Sequence, residues 1–125
     1  MTLKEIAAAL IEHCKNDTEA QALSTLYAED CVSVEASALD PEKSPVTEGL
    51  ENIRGKHAWW AENFEVHSNS VDGPYLHGDD RFAVIFEIDA THKASQQRNM
   101  FKEVAVFHVA NQKITREEFF YTTDG

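Results

Sequence analysis

Apolar residues recur along this chain at two different periods, three-and-four spacing in the first half and alternation in the second. Leu3, Ile6, Ala7, Leu10 and Cys14 form one helical stripe, and Thr2-Leu3-Lys4-Glu5 has capping-box spacing ahead of it, which predicts a helix over about residues 3 to 15. Asn16-Asp17-Thr18 break it. Asp17 or Thr18, the latter with Gln21 three residues on, caps a second helix whose buried side is Ala20, Leu23, Leu26 and Tyr27. His13, in the last turn of the first helix, reads as structural. Cys31 to Glu35 alternates and is β-branched, a short strand with Cys31, Ser33 and Glu35 on one face. Pro41 and Pro45 make residues 36 to 49 a long loop with one short edge strand near Val46, either a rim of a binding site or a surface excursion. A third helix follows over about residues 50 to 63, with Leu50, Ile53, His57, Trp60 and Phe64 as its stripe.

From Phe64 onward the period is two. Phe64 to Val71 reads as strand, with a turn or bulge at Asp72-Gly73-Pro74 before Tyr75 to His77. Arg81 to Ala90 is the strongest strand, with Phe82, Val84, Phe86 and Ile88 on one face. Phe101 to Val109 and Ile114 to Tyr121 flank the polar Ala110-Asn111-Gln112-Lys113 and predict a hairpin. Helices gathered first and four long strands gathered last specify an α+β domain, helices on one face of a curved sheet, with a blind pocket where the two layers do not close. Glu103 stands out, because alternation puts this carboxylate on a face with Phe101, Ala105 and Phe107. It either reaches the rim or lies in a polar spot of a cavity.

Composition narrows the function classes. The 125 residues form a single domain, 1–125, and 42% hydrophobic with 26% charged residues is ordinary for a globular protein. A net charge of -11 opposes binding to nucleic acid and to anionic membranes. Cys14 and Cys31 show neither zinc-site nor disulfide-framework spacing, which points to a reducing, cytoplasmic location. The first residues lack the basic start and continuous apolar run of a signal peptide, and no segment approaches the roughly 20 apolar residues of a membrane span. No cofactor motif is present. Glu35 and Glu103 with a histidine such as His57, His67 or His77 would offer mixed metal ligands, but no HxH or HxxxH spacing supports a metal site.

The stretch LYAEDCVSVEA after two helices, GLENIRGKHAWW as the third helix, and VAVFHVANQKITREEFFY at the end resemble the nuclear transport factor 2-like superfamily, in particular its SnoaL-like and ketosteroid isomerase-like branch. The resemblance spans nearly the whole chain. It implies a cone-like (cystatin-like) curved sheet, antiparallel or mixed, wrapped around the N-terminal helices, and a homodimer paired through the outer sheet face at Met100, Val104 and Val106. It also implies that Glu35 stands where ketosteroid isomerases carry their proton-shuttling aspartate. The oxyanion pair of those enzymes falls at about Ile11 and Ala105 and does not carry over. Asn111-Gln112 replaces the family's usual Asp-Gly, which argues against a simple two-residue turn. The resemblance orients Thr115, Glu117, Phe119 and Tyr121 inward on the last strand.

Glu35, Glu103 and Tyr121 are then the candidate catalytic residues, with Glu35 as base and Glu103 or Tyr121 as donor. Trp60, Phe86, Phe107, Glu117, Phe119 and His57 are the candidate ligand-binding residues. Crowded carboxylates favour a shared proton and a raised pKa, a state suited to moving protons on a carbon acid. Two functions remain open: a cofactor-free acid/base enzyme of isomerase, cyclase or dehydratase type acting on a small hydrophobic carbonyl compound, and a non-catalytic dimeric protein binding a small hydrophobic molecule.

Overall fold

The computed structural model describes residues 1–38 and 42–122; residues 39–41 of the expected loop over 36 to 49, Pro41 included, lie outside them. Helix α1 spans Leu3–Lys15, and both halves of its capping box form: the Thr2 hydroxyl accepts from the Glu5 N–H while the Glu5 carboxylate accepts from the Thr2 N–H. Helix α2, Glu19–Leu26, buries Ala22, Leu23 and Leu26. Ala20, expected inside, is exposed, and Tyr27 opens the next strand instead of closing the helix. Thr18 makes no side-chain cap; its hydroxyl lies 2.7 Å from His13 Nδ1 and ties α1 to α2.

The remaining elements are β1 (Tyr27–Val34), β2 (Val46–Glu48), α3 (Leu50–Asn63), β3 (Phe64–His77), β4 (Arg81–His92), β5 (Gln97–Ala110) and β6 (Lys113–Phe120). The six strands form one mixed sheet in the order β2-β1-β6-β5-β4-β3, in which only β1 and β6 run parallel. The four expected long strands are β3 to β6, and β1 is longer than expected because it starts directly at the end of α2. Helical and inward strand residues share one core that includes Ile6, Leu10, Leu23, Ile53, Phe82, Val84, Ala105 and Phe107. Ile11 and Ala105, at the positions of the absent oxyanion pair, are buried in it. Phe82 and Phe107 stack at 5.0 Å between centroids. Each side chain of this size contributes roughly 1.5–3 kcal/mol by leaving water.

Two local features set the register. Asn111 and Gln112 carry φ of 51° and 62° and form, between Ala110 and Lys113, the two-residue turn that the loss of Asp-Gly had argued against. Two positive φ angles match the twist of a tight hairpin, and asparagine tolerates that region well enough to start it. In β6, His108 pairs with Arg116 while Val109 pairs with Ile114, so Thr115 is an extra, bulged residue. The bulge breaks strict alternation. Ile114 and Glu117 are both buried, whereas the expected inward partner of Glu117 was Thr115. On β3 the expected irregularity is present, with register shifting between Asp72 and Tyr75. Gly73 is required there: its φ is 141°, and an added Cβ would lie 3.1 Å from the Ala83 carbonyl.

Among the described residues no helix is long and apolar enough to cross a membrane.

Candidate functional site

The chain leaves β1 at Val34 and delivers Glu35 to the end of the sheet, where the Glu35 N–H donates to the Pro45 carbonyl at 2.9 Å. Both oxygens of its carboxylate are occupied. Lys56 Nζ donates to one at 2.8 Å, and the Tyr121 hydroxyl donates to the other at 3.0 Å. The Lys56 ammonium also donates to Ser33 Oγ at 2.7 Å and stands 4.8 Å above the ring of Phe119. With side chains only 16% and 9% exposed, Lys56 and Glu35 form a mostly desolvated ion pair. Lys56 was not foreseen. The available signal was its position three residues after Ile53 on the buried stripe of α3, where a lysine head needs an acidic partner.

Two further carboxyls face this pair. Glu103 projects from β5 beside Phe86 of β4 and has no hydrogen-bond partner among the described residues. Burial, reinforced by the charge of Glu35, pushes its pKa from the ordinary 4.5 up to about 7, against the opposing pull of Lys56. Glu117, on β6, is 3% exposed. It accepts from the Tyr27 hydroxyl at 3.2 Å on one oxygen and has no partner on the other, and burial pushes its pKa up to about 7 as well. The Tyr121 phenol is pushed up to about 12 by burial and by Glu35, so it is a hydrogen-bond donor and not a phenolate. Burial likewise lifts the thiols of Cys14 and Cys31 to about 12, which makes them inert core residues.

The structure thus gathers Glu35, Glu103, Glu117, Tyr121 and Phe119 around Lys56. It distributes the other expected ligand-binding residues elsewhere. Phe107 is spent in the core against Phe82, and Phe86 packs on that core from its edge. Trp60 stacks on Phe64 at 4.1 Å and meets Phe101 edge-on at 6.0 Å. His57 is held neutral, its pKa lowered to about 4 by burial and by neighbouring Lys56 and Arg54. His67 is exposed, 2.7 Å from the Thr91 hydroxyl, and His77 ends β3 in solvent. Among the described residues no group of three histidine, cysteine or acidic side chains could hold a metal ion.

A half-open groove of about 360 Å³ leads to the ion pair from the side, between β2 and α3. Glu35 and Lys56 line it together with Val46, Thr47, Gly55 and Trp59, while Lys43, Glu48, Glu51 and Asn52 complete its walls. Its size is in the range of small-molecule sites. None of the six expected ligand-binding residues lines it; Trp59, the other tryptophan of the pair on α3, does.

No curated protein matches the chain. Among solved structures, a candidate SnoaL-like polyketide cyclase from Mesorhizobium loti is 43% identical, with a TM-score of 0.89 over 97% of this chain and 100% of that one. A protein of ketosteroid isomerase-like fold from Catenulispora acidiphila, solved with trimethylamine, is 22% identical, with a TM-score of 0.73 over 98% and 88% of the two chains. A cystatin-like protein of unknown function from Xanthomonas campestris is 16% identical, with a TM-score of 0.77 over 98% and 92%. The last two are similar in fold alone. The SnoaL-like domain family matches residues 1–121, from the capped start of α1 to the tyrosine that holds Glu35, and the chain belongs to that family.

Proposed function

We propose that this protein catalyses cofactor-free proton transfer on a small hydrophobic carbonyl compound, with Glu103 as the group that takes and returns the proton. The observation that carries this reading is the state of Glu103: half-buried, without a hydrogen bond among the described residues, and with its pKa pushed up to about 7, where an acid/base group is most effective at neutral pH. The base was expected at Glu35. Its two oxygens are already engaged by Lys56 and Tyr121, which supports exchanging the roles. Lys56 has three N–H groups, of which Ser33 and Glu35 take two, so one remains to meet a carbonyl oxygen.

In the proposed step, ionised Glu103 takes a proton from the carbon beside the carbonyl. The C–H electron pair becomes the enolate double bond, and the negative charge collects on oxygen against the Lys56 ammonium. Return of the proton from Glu103 to the same or another carbon completes exchange or isomerisation. The 43% identity to a candidate SnoaL-like polyketide cyclase supports this reading.

The test is deuterium incorporation from D2O into 6-propionyl-2-(dimethylamino)naphthalene, a flat hydrophobic enolisable ketone, followed by proton NMR. Catalysed exchange that rises through about pH 7 and is lost in Glu103→Gln is expected. Exchange no faster than in buffer overturns the catalytic reading and leaves a binding protein.

The chain is further proposed to act as a homodimer through the outer sheet face. Support comes from an apolar row there: Val104 pairs with Phe120 and Ile85, and Met100 and Phe120 are 65% and 50% exposed.

A further inference from the structure

Glu117 and Ser33 are the polar side chains sealed in the core among the described residues, at 3% and 0% exposure. They are cross-strand partners in the parallel ladder of β1 and β6, so their side chains leave the same face of the sheet next to each other. Ser33 meets Lys56, whose Nζ donates to its Oγ at 2.7 Å. That bond uses an oxygen lone pair and leaves the Ser33 hydrogen free, because a hydroxyl both accepts and donates. Glu117 offers the matching acceptor. Tyr27 donates to its Oε2 at 3.2 Å, while Oε1 is buried without a partner among the described residues. A buried acceptor left empty costs stability and calls for an explanation.

We infer that Glu117 is a positioning residue for Lys56: acting through the Ser33 hydroxyl, it sets the direction of the ammonium and changes its hold on it with pH. Its use in turnover rests on the acid/base reading, in which Lys56 meets the carbonyl oxygen; the hold itself does not. Ionised Glu117 draws the Ser33 hydrogen to Oε1. The Ser33 oxygen then faces Lys56 with its lone pairs, and the ammonium is fixed against the sheet. Protonated Glu117 turns the bridge round: its own O–H donates to Ser33, whose oxygen is then shared between two donors and holds the ammonium more weakly.

Burial, opposed by Lys56, Tyr27 and Ser33, pushes the Glu117 pKa up to about 7, so the bridge turns round near neutral pH. The titratable groups that face Glu117 are Cys14 on α1, Tyr27 and Cys31 on β1, Glu35 just beyond β1, Lys56 on α3 and Glu103 on β5. Both thiols are pushed up to about 12 and the Tyr27 phenol well above its ordinary value, and His57 beside Lys56 is pushed down to about 4. Glu103 titrates in the same range as Glu117, so it has to be removed to isolate the bridge.

The experiment reads the chemical shift of the Lys56 Nζ nitrogen through its Hε protons, in protein carrying isotope-labelled lysine, with Lys56→Arg to assign the signal. In a Glu103→Gln background the signal is expected to move between pH 5 and pH 8 with a midpoint of about 7. Adding Glu117→Gln should abolish the movement, and adding Ser33→Ala should shrink it to less than about half. A signal that stays still in the Glu103→Gln background, one that still moves with Glu117→Gln, or one that moves as far with Ser33→Ala each overturns the inference. In otherwise wild-type protein, Ser33→Ala should lower the turnover of deuterium exchange about tenfold with KM little changed. Unchanged turnover overturns the positioning role. A Lys56 signal that depends on Glu117 and Ser33, in a protein that exchanges no deuterium, sustains the hold and overturns only the catalysis.

Discussion

Phe107 and Glu103 project from the same face of β5, four residues apart, into opposite surroundings. Phe107 is stacked on Phe82 and sealed at 2% exposure among aliphatic side chains. Glu103 faces the charges of Glu35 and Lys56 with no hydrogen bond of its own. One end of the interior is held by dispersion and the hydrophobic effect, neither of which depends on pH. The other is held by the balance of three carboxyls against one ammonium, which does. A single strand can therefore serve two purposes: its buried end anchors the strand, so that its polar end is kept in place at an energetic cost.

The largest effects should come from removing one member of each end. Phe107→Ala is expected to cost about 3–5 kcal/mol, by about the same amount at pH 5 and pH 8. Lys56→Met should cost about 3–5 kcal/mol at pH 8, since it strands Glu35 beside two other carboxyls, and clearly less at pH 5, where those carboxyls are protonated. Urea denaturation of both variants at the two pH values checks the contrast; equal pH dependence would erase the distinction.

Glu117 sharpens it. Its folded pKa, like that of Glu103, is raised, so between the ordinary carboxyl value and about 7 the folded state binds more protons than the unfolded one. Their contribution is fully favourable below the ordinary value and is lost as pH rises through about 7. Wild-type stability is thus expected to fall from pH 5 to pH 8, and Glu117→Gln should remove roughly half of that slope and be about 1–3 kcal/mol more stable at pH 8. Thermal melts across this range provide the check. A smaller effect is expected for Tyr27→Phe, which removes the donor to the buried Glu117 oxygen and should cost about 1–2 kcal/mol at pH 8, and less at pH 5. The smallest change in chain stability, within about 0.5 kcal/mol, is expected for Val104→Asp on the outer face; light scattering should show a dimer for wild type and a monomer for this variant.

Much of the fold was legible because it rests on periodicity. The stripe Leu3, Ile6, Leu10 and Cys14 and the alternation of Phe82, Val84 and Phe86 point to one covered face each, and packing obeys them. The departures arise where a local feature interrupts the period. Thr115 bulges out of β6, which lets Ile114 and Glu117 share the interior in a way that alternation forbids. At the candidate site, the acidic residues stood out because a carboxylate on an apolar face is anomalous. Lys56 did not, because a lysine on a helix reads as solvated; only the fold shows that its head reaches Glu35, Ser33 and the face of Phe119. The groove was hidden for a related reason: it depends on strand β2 standing beside α3, which is a fact of assembly and not of pattern.

The parallel pairing of β1 with β6 bears on how the protein folds. It joins residues 27–34 to residues 114–118, so the whole of β2, α3 and β3 to β5 must be threaded between them before the ladder closes. The polar contacts that cross this seam are as distant in sequence, 90 residues from Tyr27 to Glu117 and 86 from Glu35 to Tyr121. Contacts of such long range form late, because the entropy of closing the intervening chain must be overcome first. The cluster of carboxyls around Lys56 therefore has no existence in a partly folded chain, and on the ribosome it is assembled only after the last strand has been made.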